Sequence, residues 1–274
     1  MDDKINRLIN SLPFELSGPE SEFPIVLVPD GLSGWVSWKP HAEVLSRDNK
    51  VLRVQLLNLV AAERNKTPGK KYSLRSESNA LKATLDNLGI KKIHLVGWSQ
   101  GGAIALDFAL NYSNQIRSLT LIEPATYWVA RAHGQFDEEE KEFQKLFKGL
   151  PDIPTEHDLI HFLTMNGLVK PNSDPRSLPQ WYIWNSLKIA LLSLHVVIDH
   201  SDDAKRLKIL RDKPILLVKG KDSVGFNAGI VRLLLSALGP RTEVLILPDA
   251  HTCHIIAKDQ FLMFFRKFIN AIRV

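Results

Sequence analysis

Between positions 97 and 102 the chain reads Gly97-Trp98-Ser99-Gln100-Gly101-Gly102. A serine hydroxyl is a poor nucleophile until a neighbouring base takes its proton, and it must be presented to a substrate free of its own backbone. The flanking residues suit that task. The apolar run Ile93-His94-Leu95-Val96 leads into the serine, and the small-residue helical pattern Ala103-Ile104-Ala105-Leu106 follows it. A buried strand, a very tight turn and an immediate helix force the serine into a strained conformation, with its hydroxyl at the tip of the bend. Gly97 and Gly101 lack a Cβ, so strand and helix can approach closely around the turn. The amide of Gln100, at the positive end of the helix, is placed to donate to an oxyanion. A Gly-x-Ser-x-Gly pentapeptide alone arises often by chance; its setting between strand and helix gives it weight.

The elements that must position this serine are legible on either side. Phe23-Pro24-Ile25-Val26-Leu27-Val28 is a continuous apolar run of the kind a buried parallel strand needs, and it empties into the loop Pro29-Asp30-Gly31-Leu32-Ser33-Gly34-Trp35. A helix is expected around Pro40 to Arg47, a strand from Val51 to Leu57, and a helix from Ser73 to Leu88 stopped by Gly89. Further strands are expected at 117–122, 214–218 and 243–247, with helices at 228–238 and 258–273. Residues 1–24 read as a short polar helix or tail, then an extended piece Phe14-Glu15-Leu16-Ser17 and a Gly18-Pro19 turn.

Alternating strands and helices predict an α/β fold, a mostly parallel sheet with helices on both faces. Residues 125–205 break the rhythm: they are charged, helical in pattern and interrupted by prolines, with no convincing buried strand. The expected organisation is a core from 1–124, a helical cap insertion from 125–205 and the rest of the core from 206–274. The insertion would sit above the C-terminal edge of the sheet, where ligands bind in such folds.

Composition narrows the classes of function. The chain of 274 residues has 45% hydrophobic and 24% charged residues, ordinary for a soluble globular protein. No apolar run reaches membrane-spanning length, and the charged N-terminus lacks a secretory apolar region, so no membrane is expected as a partner. A single cysteine, Cys253, excludes an internal disulfide framework and suits a reducing, cytoplasmic setting. The net charge of +5 is mild, and its basic clusters come with no nucleic-acid motif. Neither a spaced His/Cys set nor a glycine-rich phosphate loop is present, so no metal, nucleotide or other cofactor is expected. The expected partner is a small molecule; oligomeric state is not readable.

With these parts in order the chain resembles the α/β-hydrolase superfamily along nearly its whole length. The resemblance implies a triad in the order nucleophile, acid, histidine. Ser99 matches the nucleophile. Asp222, in Lys219-Gly220-Lys221-Asp222 after a strand, matches the acid, although the family more often spaces that Gly and Asp differently. Glu123, after the preceding strand, and Asp199, Asp202 or Asp203, near the end of the insertion, are the alternatives. His251, in Leu247-Pro248-Asp249-Ala250-His251, matches the base, with His254 as its rival. The loop Pro29-Asp30-Gly31-Leu32 matches the segment giving a second oxyanion donor, which would be the Leu32 amide beside that of Gln100. This loop departs from the family, which usually has His-Gly here. Asp30 either takes the turn role or acts as an extra acid or base on the substrate.

All six tryptophans fall in segments expected near the site. Trp35, Trp98, Trp128, Trp181 and Trp184 are candidate walls of a pocket for an apolar or aromatic substrate, or else they hold the insertion to the core. The resemblance implies a cofactor-independent hydrolase of a carboxylic ester or lactone, working through an acyl-enzyme. Carbon–carbon bond hydrolysis, perhydrolase or cofactor-free oxygenase chemistry on the same framework, or a ligand-binding receptor with little turnover, remain as other uses of the fold.

Overall fold

Continuous β-branched and leucine-rich runs build the centre of the molecule, because a strand covered on both faces has no use for polar alternation. The computed structural model describes residues 11–170 and 172–272. The expected N-terminal polar helix or tail falls mostly on residues 1–10, outside the described residues.

In chain order, Phe14–Ser17 (β1) and Ile25–Val28 (β2) precede the helix Lys39–Leu45 (α1) and the strand Val51–Val54 (β3). Leu57–Ala62 (α2), Leu74–Asn87 (α3), Ile93–Trp98 (β4), Gln100–Asn111 (α4) and Ile116–Ile122 (β5) follow. The strand expected to run from Val51 to Leu57 therefore stops early, and Leu57 opens a short helix instead. A buried carboxylate explains the turn: Glu77 accepts from the Leu57 amide at 3.0 Å and the Asn58 amide at 3.2 Å. Those are helix N-terminal donors with no carbonyl of their own.

The seven strands lie in the order β1-β3-β2-β4-β5-β6-β7, where Ile215–Gly220 is β6 and Thr242–Leu247 is β7. Among the described residues only β1 pairs antiparallel, against β3. β2 and β4 are buried throughout, whereas β1, at the edge, is exposed along its length. The doubly covered parallel sheet read from the sequence is what forms.

Between β5 and β6 the chain is helical: Tyr127–Ala132 (α5), Asp137–Gly149 (α6), Glu156–Met165 (α7), Trp181–Ser186 (α8) and Val196–Asp199 (α9), with 3-10 turns between them. Thr155 begins α7 with a reciprocal cap, its side chain accepting from the Asp158 amide while the Asp158 carboxylate accepts from the Thr155 amide at 2.8 Å. Gly225–Ala237 (α10), Cys253–Ile256 (α11) and Lys258–Ala271 (α12) complete the fold. Among the described residues no helix is long and apolar enough to cross a membrane.

The insertion is tied to the core by charge. Arg75 on α3, paired with Asp107 on α4 at 2.8 Å, also lies 4.0 Å from Asp202 of the insertion, and Arg206 bonds Asp202 at 2.5 Å and the Leu110 carbonyl at 3.0 Å. Arg131 on α5 bonds Glu140 and the carbonyls of Ile198 and His200, so both ends of the insertion are held together.

Candidate active site

Parallel strands end on one side of a sheet, and here three neighbouring tips carry the polar residues. Ser99 follows β4 directly and has φ 56° and ψ −119°, a conformation that costs a non-glycine residue about 1–3 kcal/mol. Two glycines permit the bend. A Cβ on Gly97 would lie 2.2 Å from the Gly101 carbonyl oxygen, and one on Gly101 would lie 2.2 Å from that of Pro29. The serine amide donates to Ile122 of β5 at 3.0 Å, and its carbonyl accepts from Ala125 at 3.0 Å. The strained residue is thereby locked to the tip of the next strand.

That next tip is Glu123, also at positive φ (38°), as is Asp249 (76°) in the loop that carries the histidine. Glu123 is buried, and its Oε2 lies 2.8 Å from His251 Nδ1. Its other oxygen accepts from the Gly220 amide at 2.7 Å and from the Ser223 hydroxyl. Burial pushes the carboxyl up, but the His251 hydrogen bond and charge, with Ser223 and Gly220, together hold it below its ordinary value. Glu123 is thus a carboxylate, and an ionised partner at Nδ1 fixes the imidazole with its proton there and Nε2 open as the acceptor. The Asn227 side chain of α10 stands 3.2 Å from Nδ1, and the Trp98 indole donates to the His251 carbonyl at 3.0 Å.

The structure does not bring Asp222 to His251. Asp222 is exposed, and its amide donates to the Asp249 carbonyl at 3.0 Å. The correction is to Glu123. The reason is topological: β5 lies beside β4, whereas Asp222 follows β6, one strand further from Ser99. Of the other acids considered, Asp199 and Asp203 are exposed and Asp202 is paired with Arg206. His254 is no rival to His251. It is fully buried among Trp38, Trp98 and Phe261, with neither ring nitrogen bonded, and burial holds it well below the ordinary range. Cys253 is buried and its thiol is pushed up by burial, which makes it inert.

Gln100 is the first residue of α4, so its amide is one of the helix N-terminal donors without an intrahelical partner. Its side chain donates to Tyr72 Oη at 3.1 Å, and Tyr72 in turn donates to the buried Glu77 at 2.8 Å. Leu32 lines the same space, but its amide also acts on the carboxylate of Asp30. Asp30 is 3% exposed, and its two oxygens accept from the Ser33 amide at 3.0 Å and the Ser33 hydroxyl at 3.1 Å. Burial raises its pKa to about 6 against the pull of Ser33, His251 and Leu32.

Beside Ser99 lies a cavity of about 30 Å³ lined by Asp30, Leu32, Gln100, Tyr127, Phe147 and Phe162, among others. No tryptophan lines it, so of the two readings of these residues the one as pocket walls is corrected. Trp98 lies in the core behind the histidine loop, and Trp128 is buried with its ring 6.4 Å from His200. Trp181 sits under the Arg176 guanidinium at 5.8 Å, while Trp35 is half-buried with its amide on the Gln55 side chain at 3.2 Å. Trp184 is nearest in effect, since its indole donates to Ser33 Oγ at 3.0 Å. The aromatic walls are Tyr127, Phe147 and Phe162 of the insertion, whose helical spacing alone does not say which face meets the cavity.

One described group has the spacing of metal ligands, Asp107, His200 and Asp202. Arg75 and Arg206 already neutralise its carboxylates, so its charge is spent on the clamp between insertion and core.

Residues 24–166 match the family model of the alpha/beta hydrolase fold. Among curated proteins, an uncharacterized carboxylesterase of Bacillus subtilis is 29% identical over 119 residues, 43% of this chain and 38% of its own length. A 2-hydroxy-6-oxononadienedioate/2-hydroxy-6-oxononatrienedioate hydrolase of Paraburkholderia phymatum is 34% identical over 142 residues, 49% of this chain and 45% of that protein. The matched segments thus span less than half the length of these relatives. A solved hydrolase from Pseudomonas aeruginosa superposes with a TM-score of 0.75 at 18% identity, covering 93% of both chains. With more than half of its residues matched by the family model, the chain belongs to the alpha/beta hydrolase fold family.

Proposed function

We propose that this hydrolase cleaves a carboxylic ester or lactone of a small, largely apolar molecule through an acyl-enzyme on Ser99. The observation that carries the proposal is the 2.8 Å contact of Glu123 with His251 Nδ1, at the strand tip next to a serine held at φ 56°. His251 Nε2 takes the hydroxyl proton as Ser99 Oγ attacks the carbonyl carbon, and returns it to the departing alcohol. Glu123 stabilises the imidazolium formed in between. The Gln100 amide, at the head of α4, receives the oxyanion; one such donor is worth roughly 3 kcal/mol. Water then repeats the cycle on the acyl-enzyme and releases the acid. The helical insertion acts as a cap, its phenylalanines and Tyr127 excluding solvent.

A fluorophosphonate probe and p-nitrophenyl esters of increasing acyl length test the reading. Labelling at Ser99, an ester burst and loss of both in Ser99→Ala are expected; well-folded protein that neither labels nor turns over esters refutes it. The relative from Paraburkholderia phymatum favours a second reading, cleavage of a carbon–carbon bond beside a ketone by the same residues. Labelling of Ser99 without ester turnover would select it.

A further inference from the structure

The cavity beside Ser99 is chemically lopsided. Among its described lining residues none is basic, and one is acidic, Asp30. Tyr127, the other titratable wall, is held neutral, its phenol pushed well above its ordinary range by burial and by Glu140. The remaining walls are apolar or uncharged: Leu32, Phe147, Phe162, Leu168, Leu194 and Val197 line it, with Ala125, Gln100 and Asn166. The one neighbouring group able to carry positive charge, His251, is committed to Glu123.

We propose that Asp30 determines specificity by charge: its buried carboxylate, in the cavity that Ser99 also lines and with no cation among the described lining residues, excludes acyl groups that bear a carboxylate and reserves the site for uncharged substrates. The inference rests on reading this cavity as the acyl site. An anion entering such a space loses its hydration, meets no counter-charge and is repelled by a fixed carboxylate; even one such repulsion at close range is worth a large discrimination. The carboxylate itself is built in. Ser33 donates to both of its oxygens, and Trp184, from the insertion, donates to Ser33 in turn, so the group cannot swing out when substrate arrives. A turn residue needs only the bond from the Ser33 amide. A carboxylate buried in the cavity that Ser99 also lines, at the expense of its solvation, is more than a turn requires.

The test compares two p-nitrophenyl esters of matched shape, the 5-methylhexanoate and the glutarate monoester, with spontaneous hydrolysis subtracted. Wild-type kcat/KM is expected to favour the neutral ester by about 100-fold, and Asp30→Asn to bring the ratio to within about fivefold. Asparagine keeps an acceptor for Ser33, so a purely structural role for Asp30 leaves the ratio unmoved while both rates fall together. A second arm needs no turnover: calorimetry of Ser99→Ala with 4-phenylbutanamide and 4-phenylbutanoate. The amide is expected to bind and the carboxylate not to bind. A glutarate ester cleaved as fast as its neutral partner, an unchanged ratio in Asp30→Asn, or a failure of the amide to bind better than the carboxylate overturns the inference. Binding preference without ester turnover would instead count against the hydrolase reading alone.

Discussion

Glu123 Oε2 and His251 Nδ1 stand 2.8 Å apart although 128 residues separate them in the chain. Their meeting is a consequence of strand order. β5 delivers the carboxylate to the position next to the nucleophile, and the loop after β7 folds back across β6 to bring the imidazole over it.

That pairing is expected to be decisive for rate. Glu123→Gln removes the charge that orders the imidazole and should lower kcat by about 10³-fold or more, by analogy with the loss of a triad acid elsewhere. Asp222→Asn should leave kcat within about twofold, as an exposed substitution away from the site. Steady-state kinetics of the two variants decides the acid; a large loss in Asp222→Asn with Glu123→Gln active would reverse the assignment.

Asp30 makes stability depend on pH. Its native pKa of about 6 lies above the ordinary 3.8, so between those values the native state holds more proton than the unfolded chain. Stability from this group is therefore full below pH 3.8, falls as pH rises through the window, and is lost above pH 6. A shift of about two units corresponds to roughly 3 kcal/mol. Asp30→Asn should be more stable than wild type by up to about that amount at pH 7.5 and no more stable below pH 4, as read by urea unfolding. A variant no more stable at pH 7.5 contradicts the burial of a charged Asp30.

Phe147 and Phe162 line the narrow cavity beside Ser99. Truncating either to alanine should shift the preferred acyl length upward by about two carbons or more, at a stability cost of about 1–3 kcal/mol for half-buried rings. A chain-length series on each variant measures this. An unchanged optimum would mean the acyl chain runs elsewhere.

The Arg75–Asp107 contact is worth more than a surface pair. Asp107 is fully buried and also accepts from Ser78, so Arg75→Ala leaves a carboxylate with less compensation and should cost about 2–3 kcal/mol. Lys82→Ala, which breaks an exposed pair with Asp86, should cost less than about 0.5 kcal/mol. Equal costs in the two would show the clamp to be ornamental.

Much of this could be read from the chain because its central strands are covered on both faces. Such strands write long apolar runs, and Gly97 to Gly102 leaves the serine bend one plausible form. The acid was harder to read, since its choice depends on which strands are neighbours. Sequence order puts Asp222 after a strand in the right place for the family, while spatial order puts Glu123 beside Ser99. The tryptophans misled for a related reason. Proximity in sequence to site loops says nothing of which face of a helix turns inward, and the large rings went to the core while Tyr127, Phe147 and Phe162 took the cavity. The break at Leu57 followed from Glu77, a buried group twenty residues further on that no local pattern announces.

The exposed turn around Asp222 has a further meaning. Although Asp222 is exposed, the Gly220 amide and the Ser223 hydroxyl beside it hold the Glu123 carboxylate, so a lengthened or grafted turn here would loosen the partner of His251. A catalogue of kin built by aligning acids after the sixth strand would miss this pairing, because the carboxylate beside His251 comes from the tip of the fifth.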